Sequence, residues 1–176
     1  MGGIGEKMRQ VEVEEALKFR HPEIVVLIVT KSKEGKTDIT PLGWAMLGSS
    51  KPPTWAIGVA KKHYSHKAIL ETKEFTVCLP SFKQKDDVLY CGTHSGWQVD
   101  KLKETNFKTL PAKKVQTPLL DEALACFECQ LINQMDTSDH TIFLGEIVAA
   151  HVSGKDEGLI NLGAHYLVKI KRGEDI

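Results

Sequence analysis

Lys61, Lys62 and Ser65 bring two ammonium groups and a hydroxyl together at the point where an apolar run gives way to a helical pattern. Thr54 to Ala60 reads as a strand, and from Ser65 the spacing of His66, Ile69, Leu70 and Lys73 is helical. The first amides of a helix lack internal partners and its dipole favours negative charge there, so a strand that ends in lysines before such a turn is a candidate phosphate seat. Ser65 would equally serve as an N-cap with no ligand present.

Other reactive types are scattered. His140 opens an apolar run after the turn Asp136 to Asp139, where a histidine is either a surface residue or a site residue. His63 and His66 are three apart but have no third ligand beside them, and no metal site is expected. Cys126 and Cys129 form a C-x-x-C within ALACFECQLI, which reads as a strand. Residues three apart on a strand face opposite ways, so the four cysteines, with Cys78 and Cys91, are expected to be small buried apolar residues. Trp55 and Trp97 are read as packing residues, and Trp44 as either core or site.

These residues must be carried by strands. Leu42 to Ser50 and Thr54 to Ala60 flank a Lys-Pro-Pro turn, and Ile24 to Val29 is nearly all β-branched, the pattern of a strand buried on both faces. Together the three suggest an antiparallel meander. EFTVCLP alternates Phe75, Val77 and Leu79, and ALACFECQLINQM and HTIFLGEIVAAHV form a long hairpin around a turn of Asp, Thr and Ser. A short helix near the start offers Val11, Ala16, Leu17 and Phe19 for burial, Lys83 to Leu102 reads as short helices broken by a loop, and the last charged residues are expected in solvent. Six or seven strands with few helices define a mainly β chain, a β-barrel with short helical insertions. A doubly wound parallel sheet would need a helix after nearly every strand.

The 176 residues suit a single domain spanning 1–176, and Lys plus Arg balance Asp plus Glu at 23 each. That balance argues against a nucleic-acid binder working by phosphate neutralisation. No apolar run nears the ~20 residues that cross a bilayer and the first residues carry no secretion signal, so a cytoplasmic protein without membrane contact is expected.

Four segments together resemble the flavin reductase-like, FMN-binding split-barrel family, which includes flavoredoxins. They are TPLGW from Thr40, the Lys-Pro-Pro turn with TWAIGVAKKHYSHKAILETKEFTVCLPS, GTHSGWQVDK ending at Lys101, and DHTIFLGE from Asp139. The resemblance spans Glu23 to Tyr166 and rests on the order and spacing of the pieces. It implies an FMN at the edge of a split barrel, near a homodimer interface. Lys62 and Ser65, helped by Lys61 and the helix amides, would hold the phosphate. Lys101 would reach the same phosphate or the ribityl chain, with Ser95 and Gly96 in the neighbouring loop. Thr40, Gly43, Trp44, Ala45 and Met46 would line the flavin, His140 would sit beside the ring as the candidate catalytic residue, and Tyr166 would close over it. Asp38 stands where many relatives carry Asn; a carboxylate would repel the phosphate, so Asp38 must turn away, find a basic partner or weaken that contact.

The same resemblance implies an NAD(P)H-dependent flavin oxidoreductase in which hydride passes to FMN and electrons pass on to an acceptor. The alternative is an FMN-binding electron carrier reduced by an electron-transfer protein, without a nicotinamide site of its own. No G-x-G-x-x-G fingerprint is present to decide between NADH and NADPH as donor.

Overall fold

The computed structural model describes residues 8–171 and 173. Most of the charged C-terminal tail therefore lies outside the described residues. The first described element is a helical turn, α1 (Val13–Ala16), continued by a 3-10 turn over Leu17–Arg20. Strands β1 (Glu23–Ile24), β2 (Val26–Lys31), β3 (Thr37–Leu42), β4 (Ala45–Ser50) and β5 (Pro53–Ala60) follow, and β5 runs into helix α2 (Tyr64–Thr72). After β6 (Glu74–Leu79) come α3 (Lys85–Thr93) and α4 (Lys101–Glu104), then the short pair β7 (Thr109–Leu110) and β8 (Leu119–Leu120). The hairpin β9 (Ala125–Asp136) and β10 (His140–Val152) and the final strands β11 (Glu157–Asn161) and β12 (Leu167–Lys171) complete the order.

Seven strands form one antiparallel sheet in the order β3-β2-β6-β9-β10-β5-β4, and β1-β11-β12 make a second sheet. The continuous apolar run of β2 explains why it is covered on both faces. Val26 and Ile28 enter one core with Trp55, Ile57, Phe75 and Phe143, while Leu27 and Val29 enter a second with Cys78, Val88, Cys91 and Phe107. Helix α2 adds Ala68 and Ile69, one helical step apart from buried Ser65, to the buried side. The single meander expected over the first strands is not formed. Leu42 and Ala45 belong to different strands, and the chain breaks at Gly43 and Trp44, so β3 and β4 become the two ends of the large sheet. A side chain at Gly43 would strike the Glu23 carboxyl, which is why the chain can pass β1 so closely there. The ladder stays open between β3 and β4, and the barrel is split.

Burial of the first helix is also corrected: Leu17 and Phe19 are 54% and 82% exposed, and α1 has no buried residue. A four-residue helical turn has no room for an apolar stripe wide enough to reach a core. Elsewhere one buried carboxylate ties a long loop to the sheet. Glu128 on β9 is fully buried and accepts the backbone N–H groups of Lys113, Lys114 and Val115 at 2.9, 2.6 and 3.2 Å, with His151 Nε2 at 2.6 Å. Burial pushes its pKa up, but the three amides and the imidazole pull harder and hold it below the usual glutamate value.

Candidate functional site

Where β5 ends, Lys61 and Lys62 turn the chain into α2, and His63 is the N-cap in extended conformation, with no side-chain cap bond. Ser65 is thus the second residue of the helix and not its cap. Its hydroxyl is fully buried and lies 2.8 Å from Thr40 Oγ1, which donates to Asp38 Oδ2 at 3.1 Å. A hydroxyl has one proton. Since the Asp38 carboxylate can only accept, Thr40 spends its proton there and Ser65 must donate to Thr40.

Asp38 also meets Lys101. The ammonium lies 3.3 Å from Asp38 Oδ1 and donates to Ile39 O at 2.6 Å, and both side chains are almost fully buried. The resemblance gives Lys101 the phosphate or the ribityl chain, and requires Asp38 to turn away, find a basic partner or weaken that contact. The structure shows that Asp38 has found its basic partner, and that the partner is that same lysine. Gly96 packs onto this pair so closely that a Cβ there would collide with the Asp38 carboxyl. Lys36 reaches the Gly96 carbonyl from the other side.

Around this buried pair opens a cleft of about 330 Å³. Thr40, Lys62, Ser95, Gly96 and Lys101 from the sequence-derived set line it, joined by Asp38, His63 and His94. Lys62 is exposed, and among the described residues its ammonium makes no ion pair or hydrogen bond. Its backbone carbonyl accepts the indole N–H of Trp97 at 3.0 Å. Trp97 is 53% exposed and meets Tyr64 edge-on at 4.9 Å, so it fixes the loop beside the cleft and does not pack in a core as its type suggested. His63 is kept neutral near pH 7: burial lowers its pKa, and Lys101 and Lys62 lower it further. Its Nδ1 is buried without a partner.

A second group sits at the adjacent sheet edge. His140 pairs across the ladder with Ala60, and its ring lies tilted against Trp44 with 4.6 Å between centroids. Its Nδ1 lies 2.8 Å from Asp139 Oδ1, and this hydrogen bond holds the Asp139 carboxyl below its usual range. Lys61 leans away from the cleft and donates to Thr137 O at 2.7 Å. Gly58 leaves room for Trp44, whose Cβ would be 3.3 Å from a Cβ at that glycine, and Met46 is 64% exposed on the edge strand. Gly43 and Ala45, half-buried, flank Trp44. Tyr166 does not line the cleft. It is exposed in the turn between β11 and β12 and bonds to Gly163.

Asp38, His63 and His94 line the cleft outside the sequence-derived set. The sequence signal for Asp38 is an acidic residue where the resembled family often carries Asn, and for His63 its place before the helix. His66 is structural: its Nε2 lies 2.8 Å from Thr141 Oγ1, which donates to Asp136, joining α2 to β10. Cys126 and Cys129 do face opposite cores, and Cys126 Sγ lies 2.9 Å from Cys78 Sγ on the neighbouring strand. All four cysteines are buried and free.

The chain is an open antiparallel split barrel with a lysine-bearing cleft at a strand-to-helix junction and an exposed aromatic edge beside it. The chain belongs to the flavin reductase like domain family, whose model matches residues 19–167. An uncharacterised protein of Archaeoglobus fulgidus is 31% identical over 145 residues, covering 82% of this chain and 80% of its own length. A ferric-chelate reductase (NAD(P)H) of the same organism is 27% identical over 123 residues, covering 69% and 70%. Among solved structures, the FMN-binding protein from Thermus thermophilus with bound 1-cyclohex-2-enone superposes with a TM-score of 0.82 at 22% identity, covering 98% and 99%. Among the described residues no helix is long and apolar enough to cross a membrane.

Proposed function

We propose that the protein is an NAD(P)H-dependent flavin oxidoreductase that holds FMN with its phosphate at the junction of β5 and α2. The observation that carries this reading is the unpaired Lys62 ammonium beside the first turn of α2, lining a cleft whose opposite wall is the Ser95-Gly96 loop. Those residues fit the group: a dianionic phosphate wants an ammonium, a hydroxyl and free amides, and such contacts are stronger than neutral hydrogen bonds. The orphaned Nδ1 of His63 adds a polar atom in the cleft wall that awaits a partner.

Trp44, Ala45, Met46 and His140 would take the isoalloxazine, which wants flat apolar surface and a few polar neighbours. FMN held there would supply the redox chemistry, hydride acceptance at its N5 and onward transfer of electrons. The protein's part is placement. Asp139 orients His140, and His140 in turn orients a nicotinamide or the flavin edge; it need not act as a base, because hydride transfer requires none. The likeness to a relative named as an NAD(P)H enzyme supports a nicotinamide donor. A homodimer in a cytoplasmic setting completes the proposal: Met46 and Leu47, each 64% exposed on the edge strand, are the side chains a second copy would cover.

The test is the absorption spectrum of the protein with FMN, followed by anaerobic addition of NADH and then NADPH. Bleaching of the flavin band at roughly 450 nm by either is the expected result. A band that both nicotinamides leave unchanged would instead mark an electron carrier reduced by a partner protein, and failure to bind any flavin would overturn the reading altogether.

A further inference from the structure

We propose that Asp38 is the residue that sets how firmly the flavin phosphate is held: it withholds Lys101 and Ser65 from the anion, so that FMN is preferred over riboflavin only by what Lys62 and the helix amides supply. The inference rests on the flavin reading of the cleft and adds a determinant of specificity to it.

Two of the donors expected at a phosphate are committed elsewhere. The Lys101 ammonium, 3% exposed, is neutralised by Asp38 at 3.3 Å and held by the Ile39 carbonyl at 2.6 Å. The Ser65 proton is directed inward, because Thr40 donates to Asp38 Oδ2 at 3.1 Å and must therefore accept from Ser65 at 2.8 Å. A single carboxylate thus removes one positive charge and turns one hydroxyl donor away. Of the lysines and acidic residues lining the cleft, Lys62 and Lys101 stand against Asp38, and Lys62 alone remains uncompensated.

The pair of Asp38 and Lys101 closes one side of the cleft. Asp38 Oδ1 faces the Lys101 ammonium at 3.3 Å, the residue is 1% exposed, and Gly96 packs over the carboxyl so tightly that a Cβ there would fall on it. A phosphate oxygen brought near that carboxylate would be repelled. Asp38 and Lys101 are tied to each other by burial: removing one charge alone leaves the other in a site from which water is excluded. Bound phosphate can supply the missing countercharge when Asp38 is neutral, and riboflavin cannot.

The experiment measures dissociation constants of FMN and of riboflavin, by flavin fluorescence, for the natural chain, Asp38→Asn and the double variant Asp38→Asn with Lys101→Met. Asparagine keeps an acceptor for Thr40 and removes the charge. The FMN-over-riboflavin preference is expected to rise about tenfold in the single variant, the scale of one charge-assisted contact. It should return toward the natural value in the double variant. Thr40→Val serves as a second probe that leaves the ion pair in place: it frees the Ser65 proton, and the preference should rise by about threefold, as for one neutral hydrogen bond. A preference that stays the same or falls in Asp38→Asn, or in Thr40→Val where Asp38→Asn does not fold, overturns the proposal while the flavin reading stands. A natural chain that binds neither flavin overturns both.

Discussion

Trp44 and His140 meet ring to ring, 4.6 Å between centroids and 37° between planes, although 96 positions separate them in the chain. The contact exists because β4 and β10 both pair with β5: Trp44 O accepts from Gly58 N at 2.8 Å, and His140 lies opposite Ala60. Replacing Trp44 with Ala removes an aromatic surface that is already half exposed, so the fold should survive. Affinity for FMN and riboflavin should fall together, by about fivefold to tenfold, as expected for about 1 kcal/mol of aromatic contact. Flavin fluorescence titration checks this, and a loss confined to FMN would show that Trp44 does not face the ring.

Lys62→Ala should separate the two flavins. Its ammonium has no described partner, so nothing in the protein is left unsatisfied and the melting temperature should hardly move. FMN affinity should fall about tenfold while riboflavin is spared, since one charge-assisted contact is lost. Equal losses for both ligands would place the phosphate elsewhere.

Gly96→Ala probes the floor of the cleft. The new methyl would press on the Asp38 carboxyl, and the rigid ion pair behind it has little room to retreat. Overpacking of this kind costs about 1–3 kcal/mol. A lower midpoint in urea, with weaker flavin binding, is the expected outcome, and unchanged stability would mean that the loop yields instead.

Glu128 gives the fold an acid limit. Its pKa in the folded chain lies below the usual value of 4.5, because the Lys113, Lys114 and Val115 amides and His151 outweigh the burial that would raise it. Its contribution is therefore full above that usual value and is lost as pH falls through the folded pKa. Glu128→Gln should lower stability at pH 7 by about 2 kcal/mol or more, the scale of hydrogen bonds to a charged group. Its melting curve should also depend less on pH on the acid side than that of the natural chain.

Cys91 and Cys129 should be silent. Burial pushes both thiols up to about 12, so almost no thiolate exists at pH 8. Iodoacetamide at pH 8 should leave both unlabelled in the native protein and modify both in denaturant. Rapid native labelling of either would reveal an opening of the sheet.

Much of the architecture could be read from local pattern. Alternation and β-branching located the central strands, because each strand needs only to know which of its faces is apolar. The strand-to-helix junction at Lys62 was legible for the same reason, since helical period and turn chemistry act over a few residues. The run from Leu42 to Ser50 read as a single strand. In the structure it breaks at Gly43 and Trp44, where the Glu23 carboxyl, twenty positions earlier in the chain, lies against Gly43. The exposure of Leu17 and Phe19 was hidden too, because composition records what could be buried and not whether a partner surface is present.

By itself the sequence determined a mainly β chain, the place of its principal strands and the residues able to hold an anion, since propensity, periodicity and residue chemistry are local properties. Only the tertiary structure decided which of those residues are free to act. Lys62 remains unpaired at the cleft, whereas Lys101 is drawn into a buried pair with Asp38, and Ser65 spends its proton on Thr40. Charge and hydrogen-bonding capacity belong to a side chain, but their availability depends on what else occupies the same few ångströms.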